Sequence, residues 1–411
     1  MKNINRKKIL LLTYAFSPLQ APESFLAIKA LSRMDRYTVD VLTLNYDNLG
    51  LNEDDSLSEY VRENYGQIYR VQPFSWLNKK SFYWLRFFFF FPDKFRIFNN
   101  LIFKKAISIN VEDYSVIISW SQWHSIHLAA LKIKNKFPNI PWIAHFSDPW
   151  SDNPFLSGLF GYKSSQYFLE KKVIRTADVI NFTTHLSRSL VMKKYPKAWI
   201  DKTYVTSHSY DPSLYDEADS NKEDMLVIGY FGNFYGPRNP IRFIKALNKI
   251  YAGDNTFFEG VVFEFTGRWI GNEDWVSSEF EFPASLIRVK SPISYVESLV
   301  QMKRADLLLI IDAPFKVSIF FPSKLVDYMG AKKPMLAITP EGSCADIVRE
   351  VGGLVASPSS VESIELGLVD AVNVLRDTLS EASVSGQSDD QFSNYFIASQ
   401  FEIMIDQLVE T

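Results

Sequence analysis

Short apolar runs recur along the chain, separated by stretches with helical periodicity. A first set comprises KILLLTY (8–14), VDVLTLN (39–45), IYRVQP (68–73), SVIISW (115–120), WIAHFS (142–147) and VINFTT (179–184). A second set comprises VIGYFG (227–232), VVFEFTG (261–267), LIRVKSP (286–292), ADLLLIID (305–312), PMLAIT (334–339) and GGLVAS (352–357). Most are apolar throughout, which predicts strands buried on both faces. Their alternation with helices predicts parallel sheets covered by helices. Between the sets, residues 207–225 are polar and rich in Ser, Asp and Glu, with no strong period. The pattern predicts a first Rossmann-like domain over 1–206, a hinge over 207–225 and a second Rossmann-like domain over 226–392. Residues 393–411 predict an amphipathic helix that packs back on the first domain. Two doubly wound α/β domains would face a cleft, with ligand at the carboxyl ends of the strands.

Composition sharpens this picture. A chain of 411 residues is long enough for two cores. Lys and Arg number 44 against 47 Asp and Glu, a net charge of −3 that argues against a nucleic-acid partner. The single cysteine, Cys344, excludes an internal disulfide and a thiolate cluster within one chain, and fits a reducing compartment. The opening MKNINRKKILLLTYAF is basic then apolar, as a signal peptide is. Its apolar run is short, however, and predicts a first buried strand of a cytoplasmic protein. No window reaches the roughly 18 apolar residues of a membrane span.

The run Ser81 to Arg96, SFYWLRFFFFFPDKFR, mixes Trp84 and five Phe (87–91) with Arg86, Lys94 and Arg96. It predicts either a buried helix or, if exposed, a peripheral contact with a membrane surface through Trp84–Phe91.

The candidate chemistry gathers at strand ends. In Phe321–Ile338, FPSKLVDYMGAKKPMLAI, a helix start carries Ser323 and Lys324, with Asp327 one turn on. Pro322 suits the first helical position, and Gly330 with Lys332 and Lys333 predicts the helix end. A helix N-terminus with a lysine favours an anion. The loop GNFYGPR supplies Gly232, Asn233, Gly236 and Arg238, and its glycines admit a close ligand. Arg238 and Lys324 together would neutralise a diphosphate and stabilise it as a leaving group. Asp327 is typed for vicinal ribose hydroxyls, or else pairs with Lys324. Arg268, Ser291 and Ser318 lie where they could line the same cleft. In the first half, Ser17 follows the first strand, and His145 and Asp148 sit in AHFSDPW. His145 is placed to contact a sugar or phosphate or to move a proton. Asp148 lines the cleft or caps the turn. His124 and His127 lack a third ligand and predict helix-start residues, not a metal site.

These residues carry a family resemblance that spans nearly the whole chain. The second half resembles the nucleotide-sugar domain of retaining GT-B glycosyltransferases of family 4. There a glycine loop with a basic residue, here GNFYGPR, precedes a K-L-x-E-Y-type helix, here Lys324-Leu325-Val326-Asp327-Tyr328. The first half is similar to a bacterial subgroup that builds envelope polysaccharides. Its marks are a Pro-Asp element, here Phe91-Pro92-Asp93, and a D-F-R-D-P-W-type motif, here HFSDPW. The resemblance implies Arg238 and Lys324 on the diphosphate and Asp327 on ribose. The chain departs from the pattern at Ile319, where the first glutamate of E-x7-E would stand, and Ser318 and Phe320 supply no carboxylate either. It also has His145 and Ser147 where Asp and Arg are commoner.

The expected activity is therefore a metal-independent, retaining glycosyltransferase that needs no cofactor. It would move a sugar from a nucleotide diphosphate sugar to a glycan acceptor, lipid-linked, in capsule, O-antigen or exopolysaccharide synthesis. An epimerase on the same fold and a non-catalytic sugar-binding homologue are the alternatives.

Overall fold

A computed structural model describes residues 6–47, 49–73, 91–154, 162–215, 225–269, 279–380 and 390–410. Most of the aromatic run and part of the expected hinge (216–224) lie outside these residues. The chain forms two compact units, Met1–Ser209 joined by Asn394–Thr411, and Tyr210–Ser393.

The first unit holds a seven-stranded, fully parallel sheet. Its strands are β1 (Lys7–Thr13), β2 (Tyr37–Leu44), β3 (Ile68–Val71), β4 (Val116–Trp120), β5 (Trp142–Phe146), β6 (Val179–Phe182) and β7 (Thr203–Val205). They lie in the order β3-β2-β1-β4-β5-β6-β7. The direction of strand order reverses between β1 and β4, where Leu10 pairs with Ile117. β4 and β5 are buried at every residue, as continuous apolar runs require. β7 was not foreseen: three residues, half-buried or exposed at the sheet edge, leave no periodic signal.

The C-terminal helix Asn394–Val409 belongs to this unit. Glu402 accepts from the backbone N–H of Arg36 (2.6 Å) and from its guanidinium (3.1 Å), and Asp406 pairs with the same guanidinium. Tyr204 donates to Gln407 at 2.7 Å, and Phe401 packs against Trp120.

The second unit repeats the plan with six parallel strands. These are β8 (Leu226–Phe231), β9 (Val261–Thr266), β10 (Ile287–Lys290), β11 (Leu307–Ile311), β12 (Met335–Ile338) and β13 (Leu354–Ala356), ordered β10-β9-β8-β11-β12-β13. Here the reversal falls between β8 and β11. Helices Ile241–Gly253 and Val361–Ser380 cover one face, tied by Lys249 and Glu365 at 2.8 Å.

The helix that carries Lys324 ends where expected, while Pro322 stands at its cap instead of its first position. The helix Ser323–Ala331 starts after Pro322, which is its cap, and ends at Lys332, whose φ of 54° is left-handed. Gly330 is the last residue but one of the helix, so the end falls where Gly330, Lys332 and Lys333 place it. Its role is close approach: a Cβ there would lie 2.4 Å from the Tyr215 hydroxyl, which donates to the Asp327 carbonyl at 2.9 Å.

No helix among the described residues is long and apolar enough to cross a membrane.

Candidate functional site

In open parallel sheets, ligands gather where the strand order reverses, because adjacent loops leave in opposite directions and open a crevice. Each unit has one such point, and each collects polar side chains.

In the second unit, β8 ends at Phe231 and the chain turns through Gly232. This glycine has a φ of 134°, and its amide donates to the Thr266 carbonyl at 2.9 Å. Gly267, with φ 145°, lies so close that a Cβ would meet the Gly232 carbonyl at 2.1 Å. The two glycines let the β8 and β9 loops touch backbone to backbone. Asn233 fixes the pair by accepting from the Arg268 amide at 2.9 Å.

Lys324 enters this turn from the helix Ser323–Ala331. Its Nζ lies 3.8 Å from the Tyr230 ring centroid, and a Cβ on Gly232 would stand 2.9 Å from it. The Nζ is buried and has no hydrogen-bond partner among the described residues. Burial, reinforced by the charge of Arg238, holds the amine well below the usual lysine range.

Arg238 is differently placed. It donates to Asp312 at 2.7 Å and to the Tyr235 hydroxyl at 3.2 Å. Burial opposes its charge, but the Asp312 carboxylate outweighs that and holds it firmly protonated. Asp312 follows β11 and also accepts from Thr339 at 3.2 Å. Burial and Asp312 push up the buried thiol of Cys344, in the helix Ser343–Glu350. Neither that helix nor Ser323–Ala331 has a side-chain cap. Arg238 Nε and Thr266 Oγ1 are further buried polar atoms without partners among the described residues. A turn with these donors suits an anion with several oxygens.

The structure thus brings together Gly232, Asn233, Arg238 and Lys324, with Arg268 held by its backbone. Asp327 sits elsewhere, 6% exposed, accepting from Tyr295 at 2.7 Å. Ser323 opens the lysine helix. Ser318 is buried against the loop before Ser343, whose amide donates to its carbonyl at 2.8 Å. Ser291 is exposed beyond β10. Asp312 and Cys344 were not foreseen. A carboxylate directly after the apolar run LLLII was the available signal for Asp312.

Gly232→Ala is expected to disturb this turn. The new methyl would meet the lysine head, and the backbone would hold a conformation that costs about 1–3 kcal/mol for a residue with a Cβ. A lower unfolding temperature is the expected measurement.

In the first unit the reversal between β1 and β4 holds Glu23, in the helix Pro22–Leu31. Glu23 Oε2 lies 2.8 Å from Ser147 Oγ and 3.3 Å from Trp120 Nε1. Ser147 Oγ is also 2.5 Å from the Ser121 carbonyl oxygen, which can only accept. Ser147 Oγ is the donor to both oxygens and shares its one proton between them, while Trp120 Nε1 also donates to Glu23. Burial, with the nearby Asp148 charge, pushes the Glu23 carboxyl up to about 8 against these hydrogen bonds, which lower it. Asp148 accepts from Gln122 at 2.7 Å. Glu23 was not foreseen, because its partners are over ninety positions away.

His145 lies beneath this cluster, 1% exposed, stacked on Trp120 at 3.6 Å with Nδ1 against Asn181 at 2.9 Å. Burial, and less strongly His208, hold it well below the usual histidine range, so it is neutral. Ser17 is buried, and its carbonyl accepts from Arg70 at 2.7 Å. His124 stacks on Trp150, and His127 bonds Ser119 at 2.8 Å. No group of three or more metal-ligating side chains occurs among the described residues.

No protein-family model matches the chain, and no curated protein sequence does. Solved structures do. A sucrose-phosphate synthase from Thermosynechococcus elongatus aligns with a TM-score of 0.71 at 15% identity, over 98% of this chain and all of that one. Anabaena HepE in complex with UDP aligns at 0.64 and 15% identity, over 97% of this chain and all of that one. An α,α-trehalose-phosphate synthase (UDP-forming) from Burkholderia xenovorans, bound to glucose-6-phosphate, aligns at 0.68 and 9% identity, over 97% and 100%. The fold shared with these proteins is GT-B.

Proposed function

We propose that the chain is a glycosyltransferase whose second unit holds a nucleotide diphosphate sugar. The observation that carries this reading is Lys324: a buried, unpartnered amine beneath a glycine turn, where the strand order reverses. Such an atom is costly without a ligand. The nucleotides bound by proteins of this fold, UDP and UDP-glucose in HepE, supply the matching oxygens.

In the proposed reaction the diphosphate rests on Lys324, Arg238 and the Gly232 turn. The bond from the anomeric carbon to the diphosphate oxygen breaks, and the acceptor oxygen bonds to that carbon. The acceptor's proton passes to the departing phosphate on the same face, so configuration is retained and neither metal nor cofactor is needed. For Asp327 to hold the ribose, Tyr295 would have to share its carboxylate. The first unit offers the acceptor side, with Asp148 and Gln122 at its strand ends. A lipid-linked glycan of a bacterial surface polysaccharide, met at the inner membrane face, is the proposed acceptor.

Incubation with UDP- and GDP-sugars, with and without a lipid extract as acceptor, tests the reading. Acceptor-dependent release of UDP or GDP is expected. No release from any donor would remove transferase activity, and an epimer formed without acceptor would replace it with epimerisation.

A further inference from the structure

We infer that the second unit takes up a proton when it binds a nucleoside diphosphate, and that Lys324 Nζ is where the proton goes. The inference rests on the nucleotide reading above and deepens it.

The groups around Lys324 Nζ come from each neighbouring element. β8 presents Tyr230, and the turn after it brings Arg238 with Tyr235. Beyond β11 stands Asp312, and the helix Ser343–Glu350 adds Cys344. Tyr328, on the lysine's own helix, is occupied by the Phe231 amide and the Leu309 carbonyl, both at 3.0 Å. Asp312 is the one carboxylate among these groups, and its Oδ1 is taken by Arg238, which binds it at 2.7 Å. Burial keeps the thiol of Cys344 and the phenol of Tyr230 protonated. A charged Lys324 would therefore be a second cation with no matching anion and no acceptor for its three N–H groups. Burial and the Arg238 charge lower its proton affinity and favour the neutral amine, against the smaller pull of Asp312.

A diphosphate reverses this balance. Its oxygens bring the missing negative charge and the missing acceptors, and both favour the ammonium form. The amine then collects one proton from solvent. An empty site that is nearly neutral becomes cationic only when the leaving group is present.

The sign follows from linkage. Where the free amine is neutral and the bound one charged, affinity falls as pH rises. UDP contributes no protons above about pH 7.5, because its last phosphate ionisation lies near 6.

Calorimetric titration of the wild-type protein with UDP at pH 8, in Tris and in HEPES, reads the proton directly. The observed heat should differ between buffers by about one proton's worth of buffer ionisation. The Kd should rise about tenfold per pH unit from pH 8 to 9. Lys324→Arg carries a group that does not deprotonate, so its binding heat should be the same in both buffers. Equal heats in the wild type, with UDP bound, would overturn the proton step while leaving the nucleotide reading intact. A full proton retained in Lys324→Arg would place it on another group and overturn the assignment. Absence of binding of both UDP and GDP to the wild type would remove the nucleotide reading, and this inference with it. The wild-type slope decides the question alone if the longer side chain does not fit beneath Gly232.

Discussion

Replacing Lys324 by methionine is expected to stabilise the protein and cost it its nucleotide. The amine is buried, lacks a partner and lies over the Tyr230 ring. A buried polar group left unsatisfied costs about 1–3 kcal/mol. Methionine has similar length, no polar donor and a sulfur that packs well against an aromatic ring. The unfolding temperature should therefore rise, by about 2–4 °C for each kcal/mol gained in a unit of this size. UDP affinity should move the other way. A charge-assisted bond to phosphate is worth about 1.5–3 kcal/mol, so Kd should weaken by roughly 10- to 100-fold. The lysine's lowered proton affinity makes the wild type lose stability as pH falls below about 10.5. The variant should lack that slope. Unchanged UDP affinity would show that this lysine does not hold the nucleotide, and a lower unfolding temperature would show that its burial is not costly.

Glu23→Gln is the second large effect. The folded protein holds the Glu23 proton up to about pH 8, against a reference value of 4.5. Below 4.5 both folded and unfolded chains are protonated, and this group adds no pH dependence. Between 4.5 and about 8 the unfolded chain is ionised while the folded one keeps its proton, so stability falls as pH rises. Above about 8 the loss is complete. At 1.36 kcal/mol per unit the loss is on the order of 3–5 kcal/mol. Glutamine keeps an amide oxygen to accept from Ser147 Oγ and Trp120 Nε1 and cannot ionise. Denaturant unfolding from pH 5 to 9 should show the wild type falling away while the variant stays level in this component. Parallel curves would mean that Glu23 ionises normally.

Much of the fold was legible because parallel strands buried on both faces must be apolar throughout. Twelve runs announced themselves in this way, and β7, three residues at an edge, did not. The end of the lysine helix was legible in Gly330, Lys332 and Lys333. That Gly330 also admits the Tyr215 ring was not, because the contact is made across more than a hundred positions. At the site, Lys324 and the Gly232 loop were legible because both sit at element ends with recognisable local chemistry. The environment of each was not. Arg238 is matched by Asp312, 74 positions away, and Glu23 meets Ser147 across 124. Charge state depends on such distant partners, so a sequence offers the cation but not whether it is paired. Asp327 shows the converse. Its spacing from Lys324 suggested a shared face, but Tyr295 in a neighbouring helix claims its carboxylate.

The account rests on one place, the turn where Gly232 covers Lys324. A crystal structure with UDP bound tests it most directly. The prediction is a diphosphate at the end of β8, with an oxygen within hydrogen-bond distance of Lys324 Nζ and another near Arg238. UDP bound elsewhere, with Lys324 Nζ still unpartnered beneath Gly232, would contradict it.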